Sequence, residues 1–246
     1  MSTAFIPSNL PNLNMWFDGT DPLNNGHPPN DGDVVPFWHD KSSKSNRMTC
    51  QSIDTTPGIY HRSMQCEKGG IYFNNSVYSS GLTDISHNSD IFIVMRADPS
   101  VNNTNVCSLY DPNLEEFTSL TRLNNKWIID SKHPEKKVGA IVQELSTQCI
   151  MLQWSVADNN YHIYKNGLRI LFSNCFSYTP GGQLNFYLGT TLPDSSNNYI
   201  GEIGEIIVYN SQLSMWSRQM VEGYLAWKWN ISLPIGHPFY GKQPMQ

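Results

Sequence analysis

Glu202 and Glu205 lie three residues apart in Ile200-Gly-Glu-Ile-Gly-Glu-Ile-Ile-Val-Tyr209, a stretch that reads as a β-strand. Two carboxyls can cleave a glycosidic bond with retention when they stand about 5–5.5 Å apart. Side chains alternate faces along a strand, so a spacing of three predicts opposite faces and no shared cleft. Glu115 and Glu116 are adjacent and face apart if extended. No Gly-x-Ser-x-Gly elbow offers a serine nucleophile. The seven histidines, His27, His39, His61, His87, His133, His162 and His237, show no metal-ligand rhythm. Cys50, Cys66, Cys107, Cys149 and Cys175 are odd in number and contain no Cys-x-x-Cys pair, so buried free thiols are expected rather than a zinc or redox site.

Composition narrows the classes further. The chain has 246 residues and a net charge of −5. That charge argues against a nucleic-acid partner, which needs a basic field. The nearest basic cluster, Lys132, Lys136 and Lys137, reads as a solvated loop. No run of eighteen apolar residues occurs, so no membrane insertion is expected. The first residues, Met1-Ser-Thr-Ala-Phe-Ile-Pro7, lack a basic and an apolar region, so no secretory signal is expected. Only 15% of residues are charged, while 12% are aromatic and Asn, Ser and Thr are plentiful. Such a chain suits many short strands joined by turns.

The elements follow from period and punctuation. Residues 1–45 are rich in Pro and Gly and read as a wrap around the rest, with Met15–Phe17 and Val34–Trp38 extended. Strands are predicted at 70–73, 91–96, 106–110, 126–130, 138–144, 149–156, 161–165, 168–172, 184–188 and 204–210, about a dozen in all. Asn166-Gly167 between two of them marks a type I′ hairpin, since both turn positions need positive φ. One helix is expected over 214–229, capped by Ser214. Trp216, Met220, Tyr224 and Trp227, with Val221 and Leu225, form its expected buried stripe. One domain over 1–246 is expected.

Two stretches carry a resemblance. Ile200 to Ser214 followed by Arg218 to Trp229 and Leu233-Pro-Ile-Gly-His-Pro238 resembles the closing strand and helix of concanavalin A-like, laminin-G-like domains of bacteria, phages and large DNA viruses. Val35-Pro-Phe-Trp-His-Asp-Lys-Ser42 is similar to an early Trp-x-Asp-x-Ser element of the same domains. The resemblance implies an all-β, antiparallel jelly-roll sandwich with one C-terminal helix. It assigns structural roles to Trp38, Asp40, Glu205, Trp216, Tyr224, Trp227 and His237. Glycanases of this superfamily carry Glu-x-Asp-x-Glu on a strand, and Glu202-Ile-Gly-Glu205 lacks the middle Asp. No catalytic residue and no cofactor are therefore expected. Calcium is the one metal considered, through Asp18, Asp21, Asp31 and Asp33. A sugar would need an exposed aromatic, with Trp127, Tyr161, Tyr178 and Tyr199 as candidate platforms.

The expectation is a non-enzymatic structural virion protein: a minor capsid, penton, decoration or spike-base component. It would be made in the host cytoplasm and act through protein contacts with capsid or virion neighbours, as a homo-oligomer or symmetric assembly. The alternative is a lectin-like carbohydrate-binding module, which could sit on a virion surface and hold a glycan.

Overall fold

The computed structural model describes residues 3–51, 56–85, 89–124, 126–132, 136–141, 150–157, 160–174, 183–192 and 196–245. Seventeen strands occur among the described residues, more than the dozen expected, because Arg47–Cys50, Gly58–Gln65, Tyr78–Thr83 and Glu116–Leu123 add four and the expected stretch 34–38 divides into two. They are β1 (Leu13–Asp18), β2 (Val34–Val35), β3 (Phe37–His39), β4 (Arg47–Cys50), β5 (Gly58–Gln65), β6 (Lys68–Asn74), β7 (Tyr78–Thr83), β8 (Asp90–Ala97) and β9 (Asn103–Asp111). There follow β10 (Glu116–Leu123), β11 (Lys126–Ser131), β12 (Lys136–Ile141), β13 (Ile150–Ala157), β14 (Asn160–Lys165), β15 (Leu168–Asn174), β16 (Leu184–Leu188) and β17 (Ile200–Tyr209). The α-helix α1 spans Met215–Trp229.

The strands form two antiparallel sheets packed face to face, the jelly-roll sandwich that the sequence predicts. One runs β15-β14-β13-β8-β17-β6-β5-β2, with β1 also on β17. The other runs β12-β11-β10-β9-β16-β7-β4-β3. Ile93, Met95, Ile206 and Val208 from the first meet Val106, Leu120, Ile129 and Phe186 from the second in the core. At the turn between β14 and β15, Asn166 and Gly167 take φ of 49° and 78°, as a type I′ hairpin requires.

A second apolar cluster covers the outer face of the nine-stranded sheet. Phe92, Val94, Met151 and Ile207 supply the sheet side. Val221, Leu225 and Trp229 of α1 supply the lid, joined by Ile231, Leu233 and Phe239 of the tail. Ser214 caps the helix by accepting from Ser217 N (3.1 Å), and Asn230 ends it in the left-handed region. The buried face differs from the expected stripe. Met220, Val221 and Leu225 are buried, but Trp216 and Trp227 are 58% and 55% exposed. The sheet contacts instead recur at 221, 225 and 229, four residues apart, so Trp229 takes the place expected of Trp227.

Strand β17 also departs from simple alternation. Its register on β8 slips between Ile203 and Glu205, a β-bulge at Gly204. Glu202 opposes Arg96 and Glu205 opposes Val94, so both carboxylates lie on the outer face. The expectation of opposite faces fails because the bulge adds one residue. Gly204 suits the bulge because a Cβ there would lie 2.6 Å from the Trp229 ring. Cys50 and Cys107 are buried as expected, whereas Cys66 is exposed at the β5–β6 turn. Cys149 and Cys175 lie outside the described residues.

Candidate functional site

Glu205 is fully buried and fully engaged. It accepts from Trp16 Nε1 (2.7 Å), Tyr224 OH (2.9 Å) and Trp229 Nε1 (2.7 Å). It also pairs with Lys228 Nζ at 2.8 Å. Lys228 reaches on to Asp18 (2.9 Å), and Asp18 and Asp21 share Lys41. Burial would raise the Asp18 pKa, but Lys228 and Lys41 outweigh it and hold the carboxyl near 2. Burial would lower the Lys228 pKa, but Glu205 and Asp18 raise it. Burial and the Glu205 charge push the Tyr224 phenol well above its ordinary value. This chain of charges pins α1 to β17 and to the N-terminal wrap, and Glu205 has no open path to a substrate.

Asp40 and His237 are pins as well. The Asp40 carboxylate accepts from Trp16 N, Ser42 N and Asn46 N at 2.7–3.1 Å, tying β1 to the segment around Ser42. Trp38 is buried beside Phe17 in the core. Phe239 N donates to His237 Nδ1, which leaves Nε2 to carry the proton shared with Glu222 at 2.9 Å. Glu222 is fully buried and also takes Arg218, a role the sequence reading missed. Gly223 lets the tail close in, since a Cβ there would meet Phe239 and Pro244 at 2.7 Å.

The four aspartates considered for calcium do not converge. Asp18 and Asp21 face lysine, while Asp31 and Asp33 accept from Arg62 N and Asn30 N. Among the described residues, no three His, Cys, Asp or Glu stand together as a metal site. The sugar platforms are corrected too. Trp127, Tyr161 and Tyr199 are core residues, and Tyr178 lies outside the described residues.

A groove of about 520 Å³ lies open between the end of α1 and the returning tail. Trp227 and Tyr240 stand at it, 55% and 51% exposed. Asn230, Ser232 and Lys242 add an amide, a hydroxyl and an ammonium. None of their side chains bonds to another described residue. Leu233 and Phe239 form an apolar base. Rings beside uncommitted polar groups can hold a molecule with one apolar face and a hydroxylated edge. The sequence hinted at this only through two helix tryptophans, Trp227 and Trp229, too close in sequence to share one buried stripe.

No protein-family model and no curated protein sequence match the chain. Solved structures do match its fold. Domain 4 of an extracellular arabinanase from Geobacillus stearothermophilus, solved with arabinotriose, superposes with a TM-score of 0.55 at 16% identity over 75% of this chain and 96% of that one. A Trypanosoma rangeli sialidase in complex with sialic acid gives 0.58 at 12% identity, over 93% of this chain. The botulinum neurotoxin serotype G binding domain gives 0.59 at 12% identity, over 85% of this chain. The chain spans 36% of the sialidase and 50% of the neurotoxin domain. At such identities these likenesses establish the fold alone.

Proposed function

We propose that this protein is a non-enzymatic, lectin-like carbohydrate-binding module that holds a saccharide in the groove between α1 and the tail. One observation carries the reading. Trp227 and Tyr240 are half exposed beside side chains with uncommitted hydrogen-bonding groups. A sugar ring stacks its C–H face on an aromatic plane and bonds its hydroxyls to planar polar groups. The fold neighbours lend support, because two of them were solved with arabinotriose or sialic acid bound. The test is a glycan array followed by calorimetric titration of the best hit. Trp227→Ala and Tyr240→Ala are each expected to weaken binding tenfold or more while leaving the melting temperature within about 2 °C. Unchanged affinity in both variants would remove the groove from the account.

A second reading is the assembly component expected from the sequence, in a virion. Met215, Trp216 and Ile235 favour it, as exposed apolar side chains on the helix and tail. Mass spectrometry of purified particles tests it, and absence of the protein from them would end it.

A further inference from the structure

Before the bulge in β17, part of the outer face of the nine-stranded sheet is not covered by α1. Tyr72 opposes Ile59 and Glu202, and Glu202 opposes Arg96, so these four share a face across β5, β6, β17 and β8. His61 stacks on Tyr72 with ring centroids 4.8 Å apart and planes 9° from parallel. The Glu202 side chain is 8% exposed beside them and lines the same groove. His61 Nδ1 meets one oxygen at 2.9 Å, and the Arg96 guanidinium takes the other. Ala97, Asp98 and Pro99 complete the rim of a groove of about 330 Å³.

We infer that this groove is a second saccharide site, selective for neutral sugars. The outer face of the stacked His61–Tyr72 pair offers an aromatic platform in the groove. Arg96 spends Nε and Nη2 on Glu202 and keeps Nη1 for a ligand. Glu202 Oε1, which meets only His61, keeps a further lone pair. One sugar hydroxyl can donate to Glu202 while its neighbour accepts from Arg96, and the ring's C–H face lies on the platform. The charges select against an acid: Arg96 is offset by Glu202, and Asp98 adds a further negative charge at the rim. A carboxylated sugar therefore finds no unpaired cation among these groups. No residue is shared with the helix–tail groove. The inference stands or falls separately from that reading.

The experiment uses the whole chain with a panel of neutral methyl glycosides (glucoside, galactoside, mannoside and arabinoside) and with galacturonate. Binding is followed by saturation-transfer NMR and titration calorimetry. Trp227→Ala is expected to leave residual binding of a neutral glycoside. Adding Tyr72→Ala should weaken that residue at least tenfold, and Glu202→Gln should do the same while preserving shape. Galacturonate should neither bind this site nor compete. The inference is overturned if Trp227→Ala alone abolishes all binding, or if neither Tyr72→Ala nor Glu202→Gln changes the residual affinity. Galacturonate binding as tightly as the neutral sugars, or no panel sugar binding the native chain, overturns it equally.

Discussion

Replacing Glu205 by alanine strands four partners at once. Trp229 Nε1 and Tyr224 OH lose their acceptor on the helix side, and Trp16 Nε1 loses it on the strand side. Lys228 keeps Asp18 but loses its other counter-charge. A buried donor left without a partner costs about 1–3 kcal/mol, and breaking a buried ion pair from one side about 3–5 kcal/mol. These effects overlap, so a loss of about 4–6 kcal/mol is expected. Domains of this kind are stable by about 5–15 kcal/mol, so the loss is a large share of the total. At about 2–4 °C per kcal/mol for a chain of this size, the melting temperature should fall by about 10–20 °C. Urea unfolding followed by tryptophan fluorescence gives the free energy, and calorimetry gives the temperature. Glu205→Gln should fall between the native chain and Glu205→Ala, since the amide keeps one acceptor but not the charge. A loss below about 1 kcal/mol for Glu205→Ala would refute the idea that this carboxylate ties helix to sheet.

Other expectations follow from the same contacts. Asp18 is held near pKa 2 against an ordinary 3.8, so its share of stability is present above pH 4 and is lost as pH falls through 2. Asp18→Asn should remove roughly 2 kcal/mol at neutral pH and flatten the acid limb of a stability–pH curve. Gly204→Ala drives a methyl into the Trp229 ring and should cost about 1–3 kcal/mol in chemical denaturation. A disulfide-exchange reagent should react quickly with exposed Cys66, and Cys66→Ser should remove one thiol from that fast phase. Cys107 should react only on unfolding, because burial pushes its thiol to about 12.

The sequence exposed what local chemistry decides. Asn166-Gly167 could be placed because few residues accept positive φ, and Ser214 because a helix start needs an acceptor for its free amides. The sandwich followed from alternation and from a resemblance carried chiefly by β17, α1, the tail to Pro238 and the segment around Trp38, with β6 and β8 fitting it. Strict alternation then misled at Glu202 and Glu205, because a single added residue reverses the face. Gly204 inside an apolar strand was the signal for the bulge. The helix phase was misread because α1 carries large rings on both sides, and ring size alone does not say which side meets the sheet. The helix–tail groove was hidden for another reason. It exists only once the tail folds back through Glu222, His237 and Gly223, contacts that follow no period.

The central claim is that the groove beside Trp227 and Tyr240 binds sugar. Covering about 100 Å² of ring at 25 cal/mol per Å² is worth about 2.5 kcal/mol, or roughly 70-fold in affinity. The direct measurement is calorimetric titration of the glycan selected on the array into the native chain and into Trp227→Ala. The account predicts saturable binding by the native chain and a dissociation constant about 10- to 100-fold weaker in the variant, with folding unchanged. Equal affinities in the two chains, or no saturable binding by the native chain to any glycan, would contradict it.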